Sequence, residues 1–159
     1  MRRYFSRIED EAVVARQLGR PPRAFRRVAV RCPYGRPAVT EQWSRDAAGE
    51  PFPTTYYLTC PYLVAAIARL EAAGGVERWS QRAREDPHLQ MSLKRANAEQ
   101  QELRPELPGG IAGSRRFGSL KCLHAHAAFA LARHGYELGE GILGELESRW
   151  PESGCCTAV

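Results

Sequence analysis

The sequence predicts an α+β fold: a small antiparallel three-stranded sheet in the N-terminal half, packed by several helices that dominate the C-terminal half. Two observations carry this reading. Three short runs of alternating or β-branched and aromatic character, "AFRRVAVRC", "PAVTEQW" and "TTYYLTC", all fall before Pro61. From Pro61 onward the apolar residues take up the three-to-four-residue spacing of helices. Strands first and helices later is the order of an α+β domain rather than of alternating βαβ units. At 159 residues the chain suits one compact domain, read as residues 1–150, with a flexible tail over 151–159.

The elements follow in order. "SRIEDEAVVARQLGRPP" opens on Ser6 as a helix N-cap with Glu9 at the capping-box spacing, and Gly19 with Pro21 and Pro22 stops the helix. "AFRRVAVRC" alternates Phe25, Val28 and Val30 with arginines and is a strand, and "PYGRP" is a turn built on Gly35. A second strand spans Pro37 to Trp43, and "RDAAGEPFP" leads to the third. Pro61 sits at the first position of "PYLVAAIARLEAAGG", where its missing N–H costs nothing, and two glycines end that helix. "VERWSQRARED" and the polar "PHLQMSLKRANAEQQEL" are further helices, the latter exposed along one long face. After the loop "RPELPGGIAGSRRFGS" come the helix "SLKCLHAHAAFALARHG" and then "ELGEGILGELESRW".

Composition narrows the function classes. The hydrophobic fraction of 43% and charged fraction of 26% are those of a soluble domain, and no apolar run approaches the roughly 20 residues that span a bilayer. The N-terminus lacks the apolar core of a signal peptide, so a cytoplasmic location without membrane association is expected. Arginine carries nearly all of the positive charge, since lysine occurs only at Lys94 and Lys121, and the net charge is +5. An excess of that size supports only weak, non-specific attraction to polyanions, and no nucleic-acid role is expected.

Five cysteines in a reducing compartment must be buried thiols, reactive thiols or metal ligands. Placed on a wheel of 3.6 residues per turn, the 119–134 helix gathers Leu120, Leu123, Ala127 and Leu131 on one face. Cys122 and His126, four apart, point the other way and can approach a common partner. His124 cannot join them from a regular helix and reads as a hydrogen-bonded core residue. Cys32 ends one strand in "RCPYG" and Cys60 ends another in "LTCPYL", directly before the helix that Pro61 begins. A thiol at a helix N-terminus feels the positive end of the dipole, which favours thiolate. Cys60 and Cys122 are both expected to be so placed. Zinc and iron–sulfur clusters use such ligands, giving a candidate metal set of Cys32, Cys60, Cys122 and His126, with His124, Cys155 and Cys156 as weaker members. No Cys-x-x-Cys pair exists to fix convergence, and plain burial of the thiols stays open.

The loop before that helix places Arg115, Arg116 and Lys121 near a helix N-terminus, where backbone amides and guanidinium groups could hold an anionic small molecule. It has neither Walker spacing nor a dinucleotide fingerprint, so no nucleotide cofactor is expected.

"RCPYGRPAV", "PFPTTYYLTCP" with its helix ending "LEAAGGV", and "KCLHAHAAFALA" occur in the order seen in a bacterial family, and the chain resembles domain of unknown function 501 from about Gln17 to about Gly144. The resemblance implies that Cys32, Cys60, Cys122, His124 and His126 belong to the family's motifs, and it carries no established activity. It further implies a small cytoplasmic protein, often encoded near cell-division and polyphosphate-phosphatase genes. The leading expectation is a metal-binding protein, zinc or iron–sulfur, beside an anion-binding loop. A metal-free thiol enzyme with Cys60 as nucleophile and His126 or His124 as base is the second. The third is a non-catalytic adaptor, linked to cell division, that presents the 87–103 helix to a protein partner.

Overall fold

The computed structural model describes residues 6–116 and 118–157. Its first helix, α1 (Arg7–Leu18), has the expected capping box: Ser6 Oγ accepts from the Glu9 amide at 3.3 Å and Glu9 Oε2 accepts from the Ser6 amide at 2.7 Å. Gly19, at φ 71°, ends it in the left-handed conformation that glycine adopts without steric cost. Strands β1 (Phe25–Arg31) and β2 (Pro37–Gln42) form a hairpin about Gly35, and β3 (Tyr56–Leu58) pairs with the other edge of β2. The sheet is antiparallel in the order β1-β2-β3, with Val39 opposite Leu58 and Thr40 opposite Tyr57. β2 is the central strand and every one of its residues is buried. Its one acid, Glu41, is held by ion pairs to Arg26 and Arg27 across the hairpin.

Helices follow: α2 (Pro61–Ala72), α3 (Gly75–Glu85), α4 (Pro87–Leu103), a 3₁₀ turn over Ile111–Gly113, α5 (Leu123–Ala132) and α6 (Glu137–Gly144). α4 presents a polar face outward, as expected, yet its inward face is not wholly apolar. Ser92 Oγ accepts from the Leu138 amide at 3.2 Å and Asn97 Oδ1 from the Ile111 amide at 3.0 Å. These buried polar side chains supply acceptors for backbone groups at the starts of other segments, which have no partner of their own.

α5 reads LHAHAAFALA, and seven of its ten residues are buried. A helix that is apolar all round belongs inside. It packs on β3, α6 and α2, with Phe129 edge-on between the rings of Tyr56 and Tyr136 at 5.7 and 5.8 Å. The run of alanines lets α6 come close. A methyl group added at Gly139 would lie 2.6 Å from Ala130 Cβ and 2.8 Å from the His126 carbonyl oxygen. Gly144, at the end of the same helix, has open space around it. Gly139→Ala is therefore expected to lower stability by about 1–3 kcal/mol in urea unfolding, the cost of overpacking a close helix contact. Gly144→Ala should be neutral or stabilising by less than about 1 kcal/mol; equal effects would mean that the α5–α6 approach is not tight.

Candidate functional site

α5 begins four residues later than its apolar pattern predicts. Cys122 is the N-cap, with extended backbone (φ −154°, ψ 149°), and its sulfur accepts from the Ala125 amide at 3.5 Å. The Leu123 amide donates to Glu71 Oε1 at 3.1 Å, and the same oxygen meets His124 Nδ1 at 2.8 Å. Glu71 lies near the end of α2, more than fifty residues away, so nothing local in the sequence announces it. Because Cys122 stands outside the helix, the wheel that paired it with His126 does not apply. Cys122 and His124 instead line one cavity, of about 560 Å³, between the end of α1, β3, the start of α2 and the start of α5. The expected phasing is corrected in both respects.

Both groups are held by their neighbours. His124 Nε2 faces the Val64 carbonyl oxygen at 3.1 Å, so both ring nitrogens are engaged. Burial, with a smaller contribution from the Glu71 charge, pushes the Cys122 thiol up despite the Ala125 and His124 amides that favour thiolate. Cys60 is the N-cap of α2, as read, and is only 3% exposed. Burial pushes it up to about 11, and the neighbouring Cys156 adds to that. The Leu63 and Tyr62 amides favour the thiolate, although neither closes a cap hydrogen bond with the sulfur. The expected dipole activation of these two thiols is thus reversed: desolvation outweighs a field of a few partial charges.

The remaining thiols neighbour one another in pairs. Burial raises the Cys32 thiol against the pull of the Arg36 and Tyr34 amides, and the neighbouring Cys155 adds to that. Cys156 stands in the same relation to Cys60. For Cys155 burial pushes upward, but hydrogen bonds from Thr157, whose Oγ1 is 3.1 Å away, and from Cys32 hold it below the usual thiol value. The segment after Pro151, read as a flexible tail, packs back on the core through Cys155, and Tyr34 donates its hydroxyl hydrogen to the Pro151 carbonyl oxygen at 2.5 Å. All five cysteines are free. Among the described residues no three His, Cys, Asp or Glu side chains form a group ready to hold a metal ion, and Cys32, Cys60, Cys122 and His126 do not come together as one shell. The "CPY" at 32–34 and its repeat at 60–62 were the available signal for two like thiols, but the chain's return at Cys155 and Cys156 had none.

The sequence profile of the family described as protein of unknown function (DUF501) matches residues 28–109, more than half of the chain. The chain belongs to that family. The matched stretch runs from β1 past α4 and contains Cys32 and Cys60, whereas Cys122, His124, His126 and the two tail cysteines lie beyond it. No curated protein and no solved structure matches the chain. Among the described residues no helix is long and apolar enough to cross a membrane.

The expected anion site is weaker than its composition in this DUF501 chain suggests. Arg115 and Arg116 are exposed, and Lys121 Nζ donates to the Ala112 carbonyl oxygen at 3.4 Å. Two of the α5 amides that an anion would need, those of Leu123 and Ala125, already serve Glu71 and Cys122.

His126 is fully enclosed and shares a 2.7 Å hydrogen bond between Nδ1 and the Tyr136 hydroxyl. Burial pushes its pKa down from 6.5 to about 3. The folded ring stays neutral over that interval while the unfolded chain takes up a proton. Stability from this group is constant above about pH 6.5 and is lost progressively as pH falls toward 3. Replacing His126 with Gln should lower stability at pH 7 by about 1–3 kcal/mol through the altered Tyr136 contact. It should also flatten the acid limb of the urea midpoint against pH; an unchanged limb would show that His126 does not titrate on unfolding.

Proposed function

We propose that the protein binds a thiophilic metal, zinc or an iron–sulfur cluster, through Cys32, Cys60, Cys155 and Cys156. The observation that carries this reading is that each of the two buried Cys-Pro-Tyr thiols has a thiol of the returning tail as an electrostatic neighbour. Soft thiolates are the donors such metals take, and a metal replaces the thiol protons that burial otherwise retains. Backbone amides of Tyr34 and Arg36 at Cys32, and of Tyr62 and Leu63 at Cys60, favour the charged sulfur. Cys155 and Cys156 are adjacent, so the two pairs are linked by one peptide; the four sulfurs do not stand together as a metal-ready group, and closing a shell requires that peptide to draw them in. Four thiolates leave no open position, and the metal's role would be to fix the tail onto the sheet rather than to activate water. Free thiols suit the reducing cytoplasm of a bacterial cell, where this reading places the protein.

Cys60 as an enzymatic nucleophile gains no support from a sulfur that is buried, pushed up to about 11 and not hydrogen-bonded to a histidine. Protein purified without oxygen should carry about one metal centre per chain by elemental analysis. Cys60→Ser, and a chain ending at Gly154, should lose it, while Cys122→Ser should keep it. A wild-type chain without metal whose melting temperature is unmoved by added zinc would overturn the reading, as would loss of metal in Cys122→Ser.

A further inference from the structure

The cavity beside Cys122 and His124 is separate from the thiol pairs. We infer that it is a binding site for a small uncharged molecule with an apolar, ring-sized body and one hydroxyl or N–H donor. Its 560 Å³ falls within the range of small-molecule sites, and its wall is mostly apolar, from Tyr57, Leu58, Val64 and Ala65 among others. Charge argues against an ionic ligand. Arg115, Arg116 and Lys121 do not line it, and the one imidazole on its wall, His124, is held by Glu71 and Val64. The thiol of Cys122, pushed up by burial, offers a soft neutral surface.

Two wall residues supply the polar complement. Gln17 Oε1 and Thr59 Oγ1 are buried without hydrogen-bond partners. The Gln17 amide is anchored through Nε2, which donates to the Pro37 carbonyl oxygen at 2.8 Å, so the oxygen is the end left over and it can only accept. A ligand that satisfies it must therefore donate. Both oxygens are closed to water in this form, so pairing with either requires its side chain to turn toward the cavity. Leaving a buried acceptor unpaired is unfavourable, and that penalty is relieved when a donor arrives. A bare hydrocarbon of the same shape would gain the apolar contacts and leave the penalty in place.

The test uses the full chain with three probes of one shape: 2-naphthol, naphthalene and 2-naphthoate. Binding is followed by shifts in backbone amide resonances and by titration calorimetry. The expected order is 2-naphthol tightest, naphthalene about tenfold weaker, and 2-naphthoate weaker than both. Thr59→Val and Gln17→Met keep side-chain volume and should weaken 2-naphthol about tenfold while leaving naphthalene unchanged. Ala65→Trp, at an exposed helix position on the cavity wall, should abolish binding of all three without loss of fold, which the amide spectrum reports directly. Absence of binding by every probe in a folded wild-type chain would overturn the inference. So would tightest binding by 2-naphthoate, or shifts that map away from α2 and β3.

Discussion

Enclosing a helix that has no polar side is the constraint to which the rest of the chain answers. From Leu123 to Ala132 α5 presents only alanine, leucine, phenylalanine and two histidines, so it has to be covered all round, by β3, α2 and α6 together. Burial of Leu123 and Phe129 contributes about 1.5–3 kcal/mol each relative to exposure. The same burial leaves amides at the helix start without water. Glu71 and Cys122 accept from them, which explains why a carboxylate from α2 and a thiol stand together there. The histidines are satisfied in place, His124 by Glu71 and Val64 and His126 by Tyr136.

Desolvation is the effect that decides the chemistry of the thiols. Helix-start amides point at Cys60 and Cys122 and turn amides at Cys32, an arrangement that in partly solvated settings favours thiolate. Here the surrounding apolar residues outweigh it, and the sulfurs of the sheet and helix ends hold their protons. A bound cation would tip the balance, since it supplies the positive charge that the amides only approximate. The tail thiol Cys155 differs because it is less enclosed and is hydrogen-bonded by Thr157, so the more acidic member of its pair comes from the returning segment.

Much of the architecture was legible because it is written locally. Ser6 and Glu9 mark a helix start three residues apart, Pro61 and Pro87 each occupy a first helical turn, and Gly19 ends a helix by adopting a positive φ. The site was less legible because its determinants are remote. Glu71 accepts from the first amide of α5, which begins past Cys122 and leaves Cys122 beside the same cavity as His124, yet Glu71 is tied to them only through tertiary structure. Likewise Tyr34 and Pro151 bring the tail to Cys32 across 117 positions of sequence, a contact that no periodicity encodes. The place of Cys60 at its helix cap is legible from Pro61, but its acidity is not, because burial, unlike the dipole, is a property of everything packed around it.

The proposed metal site would set Cys32, Cys60, Cys155 and Cys156 apart from Cys122, which lines the cavity. Site-resolved alkylation, read by mass spectrometry with and without zinc, tests that division most directly. Zinc is predicted to protect the four thiols of the first group in parallel and to leave labelling of Cys122 unchanged. Protection of Cys122 alongside Cys32 and Cys60 with the tail thiols still reactive, or no protection of any thiol, would contradict it.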